Sequence, residues 1–482
     1  MATFRSTNPA RPAEVVGEHP EHTAADVDDA VRRAADAQAA WAARPVPERA
    51  EVVAAAGAVL AQRKSALAEL VSREAGKIRI EGGGEVQEAI DMAAFVAGQG
   101  RGAMGDVVPS ELPRKLAWTT RIPIGVVGMI TPWNFPMAIP SWKVFPALLA
   151  GNGVVLKPSE LAPTCGVAFV EACVEAGVPA DLVQLVHGGP EPAAALATHP
   201  GVGAVSFTGS VPTGRTVAAA AMEVGPKVVS LELGGKNAMV VLDDADVDLV
   251  VDGALFGAFG TAGQRCTSTS RLVLQRGIAE EVLGRLLARA GSLRLGDPLD
   301  PATDVGPVIT AGAADRILDM VETAVAEGAV VALGGTRHTD VDGCEGGTFV
   351  TPTVLTGVTP AHRIAREEVF GPVLSVIEVD DLDEAVAVVN GVEYGLSAAV
   401  YTRDLGAALQ AIEAIDTGIT YVNAPTIGAE IPLPFGGTKH TGNGFREAGT
   451  RGIEQFSQVK TVYVDYSGRL QRAQIDNRED GS

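Results

Sequence analysis

Basic residues are scarce in this chain of 482 residues. Lys and Arg together number 38 against 59 Asp and Glu, so the formal net charge is −21. An acidic surface of this kind repels the phosphates of nucleic acids and the headgroups of anionic membranes. We therefore expect neither as a partner, and a small-molecule ligand fits the composition better.

Cysteines are also few, and long apolar runs are missing. The four cysteines, at positions 165, 173, 266 and 344, show neither the paired spacing of a zinc or redox motif nor the density of a disulfide framework. No apolar run is long enough to span a bilayer, and residues 1–12 lack the basic start and apolar stretch of a signal peptide. We predict no metal site and a reducing, cytoplasmic location.

The rest of the composition is globular, with 46% hydrophobic and 20% charged residues, and the length predicts more than one packed unit. Apolar residues at helical spacing predict two opening helices, over 24–43 and 48–74. A third helix is predicted from 85 to about 98, after the glycine run at 82–84.

Short apolar runs bounded by Gly and Pro then alternate with helical stretches. They predict buried strands of a doubly wound parallel sheet, which is nucleotide-binding architecture, at 125–130, 153–156, 182–186, 204–207 and 228–231. A second alternation from about 246 to 434 predicts another α/β unit, with strands near 272–274, 330–333, 373–379 and 398–401. Two further strands, predicted at 116–124 and 459–466, lie outside both units and are candidates for pairing with another subunit.

Cys266 is the most informative residue. Most free cysteines are buried core residues, and Cys165 and Cys173 fit that interpretation. Cys266 instead lies among Gly, Gln, Arg and Thr, with the cation of Arg265 adjacent and expected to favour the thiolate. We interpret Cys266 as a candidate nucleophile.

Glu232 is the matching candidate base. A lone Glu is usually an exposed carboxylate, but Glu232 follows a fully apolar strand and precedes two glycines. Burial there is expected to raise its pKa into the range that suits a general base.

Polar residues follow other predicted strands at their carboxyl ends, where ligands bind in such sheets. Asn134 is either a turn former beside Pro or a donor to a developing oxyanion. The segment 207–210 opens a helix whose free N–H groups suit a pyrophosphate, and Lys157 with Glu160 either holds ribose hydroxyls or is merely solvated. Neither the three-glycine dinucleotide fingerprint nor the Lys-bearing phosphate loop is present, so spacing alone leaves the nucleotide unnamed.

Taken together, these residues make the chain resemble the NAD(P)-dependent aldehyde dehydrogenase superfamily over nearly its whole length. Seven segments match the family's motifs in the family's order: 131–136, 157–160, 207–210, 231–236, 263–268, 367–372 and 434–437. The resemblance implies an α/β fold with a Rossmann-like NAD-binding domain (1–115 and 125–234), an α/β catalytic domain (235–434) and a small β oligomerisation element (116–124 and 455–482).

The resemblance also implies a mechanism. Cys266 attacks the aldehyde, and Asn134 with the Cys266 backbone N–H holds the oxyanion of the thiohemiacetal. Glu232 activates the water that hydrolyses the thioester, and its presence favours hydrolysis over transfer to coenzyme A. Lys143 matches the family's lysine beyond the asparagine motif and is expected to order the site or to move protons.

The implied cofactor is NAD+, with NADP+ left open. Gly209 and Ser210 are expected at the pyrophosphate, and Lys157 and Glu160 at the adenosine ribose. A carboxylate beside the 2′-hydroxyl accepts its hydrogen bond and repels a 2′-phosphate, which favours NAD+. The family pattern places Glu368 at the nicotinamide ribose and Phe370 against the nicotinamide, and Trp133 is also expected to bind the cofactor.

For the substrate, the segments 425–430 and 439–442 and the earlier stretch 81–88 make the chain similar to the branch that oxidises α-aminoadipic semialdehyde. That similarity implies that Arg265, Gly428 and Ala429 bind the carboxylate end of a semialdehyde, and an arginine fork suits a carboxylate. Trp133, Lys143 and the segment 157–160 depart from that branch and also fit α-ketoglutaric semialdehyde dehydrogenases. A broad-specificity aliphatic or aromatic aldehyde dehydrogenase is the alternative.

Two other classes of protein stay open. One is a catalytically silent binding or structural protein on the same fold, and the other is a cysteine hydrolase. The retained Cys266, Glu232 and Asn134 disfavour the first, and the absence of a His near Cys266 or Glu232 in sequence disfavours the second. The resemblance further implies a homodimer or homotetramer in which a C-terminal strand crosses to a partner.

Overall fold

The computed structural model describes residues 2–102 and 104–475, and its first element is an antiparallel hairpin of β1 (Thr3–Asn8) and β2 (Arg11–Pro20). The prediction that two helices open the chain is therefore wrong. The hairpin lacks a clear apolar alternation because distant segments stabilise it. His19, for example, hydrogen bonds to Thr164 at 2.9 Å, and Arg11 donates to the carbonyl of Gly343 at 2.9 Å.

Four helices follow: α1 (Ala24–Ala42), α2 (Val46–Gln62), α3 (Lys64–Ala75) and α4 (Arg79–Gly98). The predicted helix over 48–74 is two helices, because the backbone turns at Arg63 (φ −95°, ψ 3°). The third helix begins six residues earlier than predicted and contains the glycine run. A Cβ on Gly82 would lie 2.7 Å from the Ala68 carbonyl oxygen of α3, so glycine lets the two helices pack closely.

A short 3-10 helix (Gln99–Arg101) and two strands come next, β3 (Val107–Val108) and β4 (Lys115–Pro123). The first large sheet begins after them. It has five strands in the order β7-β6-β5-β8-β9, and all neighbours are parallel. Its strands and intervening helices are β5 (Val126–Ile130), α5 (Ala138–Ala150), β6 (Gly153–Lys157), α6 (Pro163–Glu175), β7 (Val183–Leu185), α7 (Pro190–Thr198), β8 (Ala204–Thr208), α8 (Val211–Glu223) and β9 (Val228–Glu232).

Helices cover both faces of this sheet. Val126 and Ile130 of β5 belong to a hydrophobic cluster with α1, α7 and α8, whereas Val127 and Met129 belong to a second cluster with α2 to α6. This division follows the two-residue period of a strand, which sends alternate side chains to opposite faces. The doubly wound sheet is confirmed.

The second large sheet has seven strands in the order β12-β15-β16-β11-β10-β18-β19, parallel except for the pair of β12 and β15. Short segments β10, β15 and β19 were not predicted as strands. The strands are β10 (Asn237–Val241), β11 (Thr269–Gln275), β12 (Val330–Leu333), β15 (Thr353–Thr356), β16 (Val373–Val379), β18 (Ser397–Tyr401) and β19 (Ile419–Val422).

The helices of this half are α9 (Val247–Phe259), α10 (Arg276–Ala290), α11 (Ala311–Ala326), α12 (Arg363–Arg366), α13 (Leu382–Asn390), α14 (Leu405–Ala414) and α15 (Gly449–Glu454), with a 3-10 helix at Gly260–Gly263. Two strand pairs stand apart from the large sheets. They are β13 (Arg337–His338) with β14 (Phe349–Val350), and β17 (Tyr394–Gly395) with β20 (Thr438–Lys439).

The two strands predicted outside both units pair with each other. The last strand, β21 (Ser457–Asp465), runs antiparallel to β4, and β3 completes a three-stranded sheet on the other side of β4. The α/β fold class is confirmed. The assignment of these strands to oligomerisation stays a prediction, and residues 476–482 of the predicted element lie outside the described residues.

In the described part of the chain, no helix has both the length and the apolar character needed to cross a bilayer.

Candidate active site

The predicted site residues gather between the two large sheets. The strands β5, β6, β8 and β9 are parallel, so their carboxyl ends share one edge, which carries Lys157, Thr208 and Glu232. Cys266 comes from the second half of the chain but packs against the hydrophobic cluster formed by α2 to α6 and the first sheet. The site is therefore built from both halves.

A strained turn places Cys266. After α9 the chain passes through three successive left-handed residues, Thr261 (φ 55°), Ala262 (φ 51°) and Gly263 (φ 69°). This conformation is costly for residues with a Cβ. At Gly263 a Cβ would lie 2.1 Å from the carbonyl oxygen of Gly371, so glycine is needed for the close approach.

The Cys266 side chain lines a pocket in which acidic groups face the thiol. Burial raises the pKa of the thiol, and the carboxylates of Glu368, Glu232 and Glu447 raise it further, while the Thr267 backbone N–H bond to the sulfur opposes this. The resting thiol is therefore protonated. Other pocket-lining residues are Glu88, Phe135, Ile139, Trp142, Thr208, Leu233, Arg265, Thr267, Gly428, Ala429 and Phe435.

The expectation that Arg265 favours the thiolate is wrong. Its Nε donates to Thr261 Oγ1 at 2.9 Å, and its Nη2 lies 3.6 Å from Glu81 Oε1. The guanidinium carbon also lies 5.5 and 5.6 Å from the ring centroids of Phe135 and Phe256. The arginine thus binds its own loop and aromatic faces, and the net effect of the surroundings on the thiol is to raise its pKa.

Glu232 ends β9 and is 2% exposed. Both of its carboxyl oxygens lack a hydrogen-bond partner among the described residues. Burial raises its pKa well above the ordinary value, and the nearby charge of Glu447 raises it further, against the lowering effects of Lys143 and Arg446. A Cβ on Gly436 would lie 2.6 Å from Glu232 Oε1, so the backbone closes directly over this carboxyl group.

Lys143 and Glu447 form a buried ion pair beside Glu232. Lys143 Nζ also donates to Ser206 Oγ at 2.7 Å, and Thr208 Oγ1 donates to Glu447 at 3.3 Å. Two backbone hydrogen bonds with Phe435, of 2.7 and 2.8 Å, fix Glu447 in place. Sequence reasoning missed Glu447, because a single Glu in a loop carries no periodic or motif signal.

Asn134 meets the nucleophile loop directly. It is 4% exposed, and its Nδ2 donates to the backbone carbonyl of Gln264 at 3.0 Å. Gln264 is itself fixed, since its Oε1 accepts from the Ile309 N–H at 2.9 Å. Within residues 2–102 and 104–475 we find no acceptor for the Cys266 backbone N–H. An amide donor and a backbone donor thus flank the thiol.

Four residues predicted to bind the cofactor lie at the edge of the first sheet. Lys157 is buried at the end of β6, and its Nζ donates to Glu160 Oε2 at 3.2 Å, while Glu160 is about half exposed. Burial lowers the pKa of Lys157, although the charge of Glu160 opposes this. Gly209 and Ser210 connect β8 to α8, and the Ser210 hydroxyl bonds to Thr213 Oγ1 at 2.9 Å rather than to a helix N–H.

The other three predicted cofactor residues meet across the cleft. Trp133 and Phe370 contact edge to face, with 5.6 Å between ring centroids, and Phe370 is left-handed (φ 55°). Glu368 Oε1 accepts from the Gly235 N–H at 3.1 Å, and burial raises its pKa to about 7. A Cβ on Gly234 would lie 2.2 Å from Glu368 Oε2, so the Gly-Gly pair makes room for this carboxyl group.

The predicted substrate residues share the pocket of Cys266. Arg265, Gly428 and Ala429 all line it, and Gly428 is left-handed (φ 105°). Glu88 of α4 also lines it, and burial raises the pKa of Glu88 to about 7. No hydrogen bond to Glu88 is found in the part of the chain that the structure describes. Its role was not predicted, although the helical spacing of acidic residues at 81, 85 and 88 was a usable signal.

A pocket that holds a candidate nucleophilic thiol beside a doubly wound sheet is typical of an oxidoreductase that uses a nucleotide. Comparison with known families agrees. The model described as the aldehyde dehydrogenase family matches residues 1–462, and the chain therefore belongs to the aldehyde dehydrogenase family. It is an aldehyde-oxidising enzyme.

Curated relatives match almost the whole chain. The chain is 40% identical to an α-ketoglutaric semialdehyde dehydrogenase of Bacillus subtilis, over 95% of this chain and 93% of the relative. It is 41% identical to an α-ketoglutarate semialdehyde dehydrogenase of Haloferax volcanii, over 96% of each. A betaine aldehyde dehydrogenase of Rhizobium leguminosarum is 40% identical, over 94% of this chain and 92% of the relative.

Solved structures agree with this assignment. An NAD-dependent aldehyde dehydrogenase from Sinorhizobium meliloti superposes with a TM-score of 0.94 at 38% identity, covering 98% of this chain and 93% of that one. A betaine aldehyde dehydrogenase from Staphylococcus aureus, solved in complex with NAD+, gives a TM-score of 0.94 at 33% identity, covering 97% and 93%.

The buried Glu232 predicts a pH-dependent stability difference. Because the pKa of Glu232 is raised in the folded state, folding disfavours its ionised form, and the native enzyme loses stability as pH rises above about 4.3, the ordinary carboxyl value. Glu232→Gln removes this titration. We expect the Tm of Glu232→Gln minus that of the native enzyme to become more positive between pH 4.5 and 7.5, measured by calorimetry.

The matched control is Glu51→Gln, at an exposed position on α2. Its Tm difference is expected to stay flat over the same pH range. A flat difference for Glu232→Gln as well would contradict the buried, raised-pKa state of this carboxyl group.

Proposed function

We propose that this enzyme oxidises an aldehyde to the carboxylic acid with NAD+, through covalent attachment to Cys266. The observation that carries the proposal is one pocket lined by both Cys266 and Glu232, whose carboxyl group has no hydrogen-bond partner among the described residues. The Asn134 amide contacts the loop that leads into Cys266, at the Gln264 carbonyl. The net reaction consumes one aldehyde, one NAD+ and one water, and it produces one acid, one NADH and one proton.

In the first step the Cys266 sulfur bonds to the aldehyde carbon. The thiol proton has to leave, and the ionised carboxylate of Glu232 is the acceptor that shares the pocket with the thiol. The carbonyl oxygen becomes an oxyanion, which Asn134 Nδ2 and the Cys266 N–H stabilise by hydrogen bonds. NAD+, when bound, would supply the hydride acceptor, and loss of a hydride from the thiohemiacetal carbon leaves a thioester on Cys266.

Hydrolysis then releases the acid. Glu232 accepts a proton from water as the water oxygen bonds to the thioester carbon, and the C–S bond breaks to return the thiol. The raised pKa makes Glu232 a stronger base than an exposed carboxylate. Glu447 and Lys143 lie next to it and provide buried acceptor and donor groups that pass the proton on.

The residues present fit NAD+. The N-terminus of α8, at Ser210, lies at the carboxyl edge of the first sheet, and its side chain leaves the helix N–H groups available to a pyrophosphate. Lys157 and Glu160 are already paired at the carboxyl end of β6, which lies two strands from β8 in the sheet, and there they suit ribose hydroxyls. The Glu160 carboxylate disfavours a 2′-phosphate, so NADP+ is expected to be the poorer cofactor. The NAD-dependent relatives support this choice.

For the substrate we propose a semialdehyde with a carboxylate at its far end. Arg265 lines the pocket together with Gly428 and Ala429, and two curated relatives act on α-ketoglutaric semialdehyde by name. The betaine aldehyde dehydrogenase relative has a cationic substrate by name, so similarity alone does not select the charge. Arg265 is the feature that favours an anion.

Glu88 favours a second candidate. Its carboxyl group lines the same pocket without a hydrogen-bond partner among the described residues, and it lies within electrostatic range of Arg265. A substrate with an ammonium group as well as a carboxylate would complement both side chains. α-Aminoadipic semialdehyde carries both groups, whereas α-ketoglutaric semialdehyde carries only the carboxylate.

We also propose self-association through β21. One edge of this strand is unpaired in the three-stranded sheet, and it carries exposed apolar side chains, with Val459 60% and Tyr463 65% exposed. An edge of this kind is a template for pairing with a second chain. The free state of all four cysteines fits the proposed cytoplasmic location.

Pre-steady-state NADH formation tests the mechanism. Cys266→Ala is expected to form no NADH from any aldehyde. Glu232→Gln is expected to slow both the first turnover and the steady rate of NADH formation about 100-fold, because Glu232 accepts the thiol proton before hydride transfer and the water proton during hydrolysis. Glu51→Gln is the control, and turnover of Cys266→Ala at the native rate would refute the covalent route.

Substrate charge is tested with a panel of aldehydes. Arg265→Gln is expected to raise KM for α-ketoglutaric semialdehyde about 10- to 100-fold, because a hydrogen bond to a charged group is lost. The increase in KM for hexanal, which has no carboxylate, is expected to be smaller. Glu88→Gln is expected to raise KM for α-aminoadipic semialdehyde alone. If Arg265→Gln affects hexanal and the semialdehydes equally, carboxylate recognition by Arg265 is wrong.

Sedimentation velocity tests self-association. The native enzyme is expected to sediment as a dimer or tetramer of the 49.5 kDa chain. Val459→Glu is expected to shift it towards the monomer, because it places a charge on the exposed edge strand. Val325→Glu, at an exposed apolar position of α11, serves as the control. A native enzyme found only as a monomer would refute the proposal.

A further inference from the structure

Helix α4 presents two carboxylates, Glu81 and Glu85, to the two loops that carry Asn134 and Cys266. We infer that Glu81 and Glu85 are positioning residues, which fix the nucleophile loop and the oxyanion loop to one rigid helix and so set their relative placement. The inference rests on the proposed roles of Cys266 and Asn134. Neither carboxylate is needed for the chemistry itself.

Glu81 holds the nucleophile loop. Its side chain is 10% exposed, and its Oε1 accepts from the Thr261 backbone N–H at 2.6 Å. The same oxygen lies 3.6 Å from Arg265 Nη2, and Arg265 Nε returns to Thr261 Oγ1 at 2.9 Å. These contacts close a ring around the left-handed residues Thr261 and Ala262. A charged acceptor on the first strained N–H stabilises a conformation that the local sequence disfavours.

Glu85 holds the oxyanion loop in the same way. It is fully buried, and its Oε1 accepts from the N–H groups of Met137 and Ala138, at 2.7 and 3.3 Å, at the start of α5. Its Oε2 accepts from Lys77 Nζ at 2.6 Å, and this ammonium lies 3.3 Å from the ring centroid of Phe135. The segment that follows Asn134, from Phe135 to Ala138, is thereby tied to α4.

Glu81 and Glu85 connect the two loops to the same element, helix α4. Residues four apart on a helix lie on one face, so Glu81 and Glu85 project in the same direction one turn apart. Helix α4 is itself fixed by its close packing on α3 at Gly82. The two loops then meet at the hydrogen bond from Asn134 to the Gln264 carbonyl. A helix with two anchors sets this meeting more rigidly than either loop does alone.

The first test compares Glu81→Ala with Glu81→Gln. In Glu81→Ala the thiol is expected to be misplaced, which lowers kcat with hexanal about 100-fold. The KM for NAD+ is expected to stay within about twofold of the native value. The kcat of Glu81→Gln is expected to be at least about tenfold higher than that of Glu81→Ala, because the amide oxygen still accepts from the Thr261 N–H. Glu51→Ala is the control for a carboxylate removed from an exposed helix position.

A second variant separates positioning from simple damage to the fold. Glycine adopts a left-handed backbone conformation without the steric penalty of a Cβ. The double variant Glu81→Ala, Ala262→Gly is therefore expected to have a kcat at least about tenfold higher than that of Glu81→Ala. If Glu81→Ala is poorly folded, this double variant and Glu81→Gln carry the test. A loss that neither change rescues would overturn the positioning role.

The roles of Glu81 and Glu85 can be distinguished by the rate at which iodoacetamide alkylates Cys266. This reaction depends on the placement of the nucleophile loop but needs no oxyanion donor. Glu81→Ala is expected to change the alkylation rate at least about threefold, whereas Glu85→Gln lowers kcat and leaves this rate within about twofold. Equal effects of both variants on alkylation would contradict the division of roles.

The outcomes also distinguish this inference from the proposed function. If Cys266→Ala is inactive while Glu81→Ala keeps kcat within about threefold, only the positioning role fails. If Cys266→Ala retains native turnover, the proposed function fails and the inference fails with it.

Discussion

The structure depends on keeping a carboxylic acid in a place where its ionised form is unfavourable. Glu232 lies under the backbone of Gly436 with no hydrogen-bond partner among the described residues, and Glu447 adds a second carboxylate next to it. One buried lysine, Lys143, balances this pair. A buried carboxyl group without a partner reduces stability, so it is retained where it serves reactivity. The surrounding structure has to offset its cost.

That requirement explains how the nearby backbone is built. Residues on two segments adopt left-handed conformations close to the site, Thr261 and Ala262 on one and Phe370 on the other. Two glycines, Gly234 and Gly263, sit where a Cβ would collide with Glu368 or with the Gly371 carbonyl. Strained backbone and crowded glycines near reactive groups are expected where the fold around them is rigid enough to impose the geometry. The first sheet, which helices cover on both faces, contributes to that rigidity.

The sequence predicts the elements whose signal is local. The five strands of the first sheet were found within one or two residues, because each is a short apolar run with turn residues on both sides. Cys266 and Glu232 were identified because each departs from its usual context, and Asn134 because it follows a predicted strand at its carboxyl end, where ligands bind in such sheets. The family resemblance then predicts that the three residues act together.

What the sequence does not predict is set by long-range contacts. The opening hairpin depends on Thr164 and Gly343, and the start of α4 depends on how closely it approaches α3. Arg265 is adjacent to Cys266 in sequence, yet its side chain is bound to Glu81 and Thr261, which no local pattern reveals. Glu447 is held at the site by its backbone pairing with Phe435 and by its ion pair with Lys143. The hairpin, Arg265 and Glu447 thus each depend on a partner more than a hundred residues away in the chain, and the start of α4 depends on a neighbouring helix.

The contact between Glu81 and Thr261 also bears on modularity. It joins an N-terminal helix to the loop of the reactive cysteine, 180 residues later in the chain. The second half therefore does not contain everything that shapes its own nucleophile. A recombination that exchanged the two halves between distant homologues would have to carry this carboxylate with it, which makes the pair an inherited unit that spans the boundary between the two sheets.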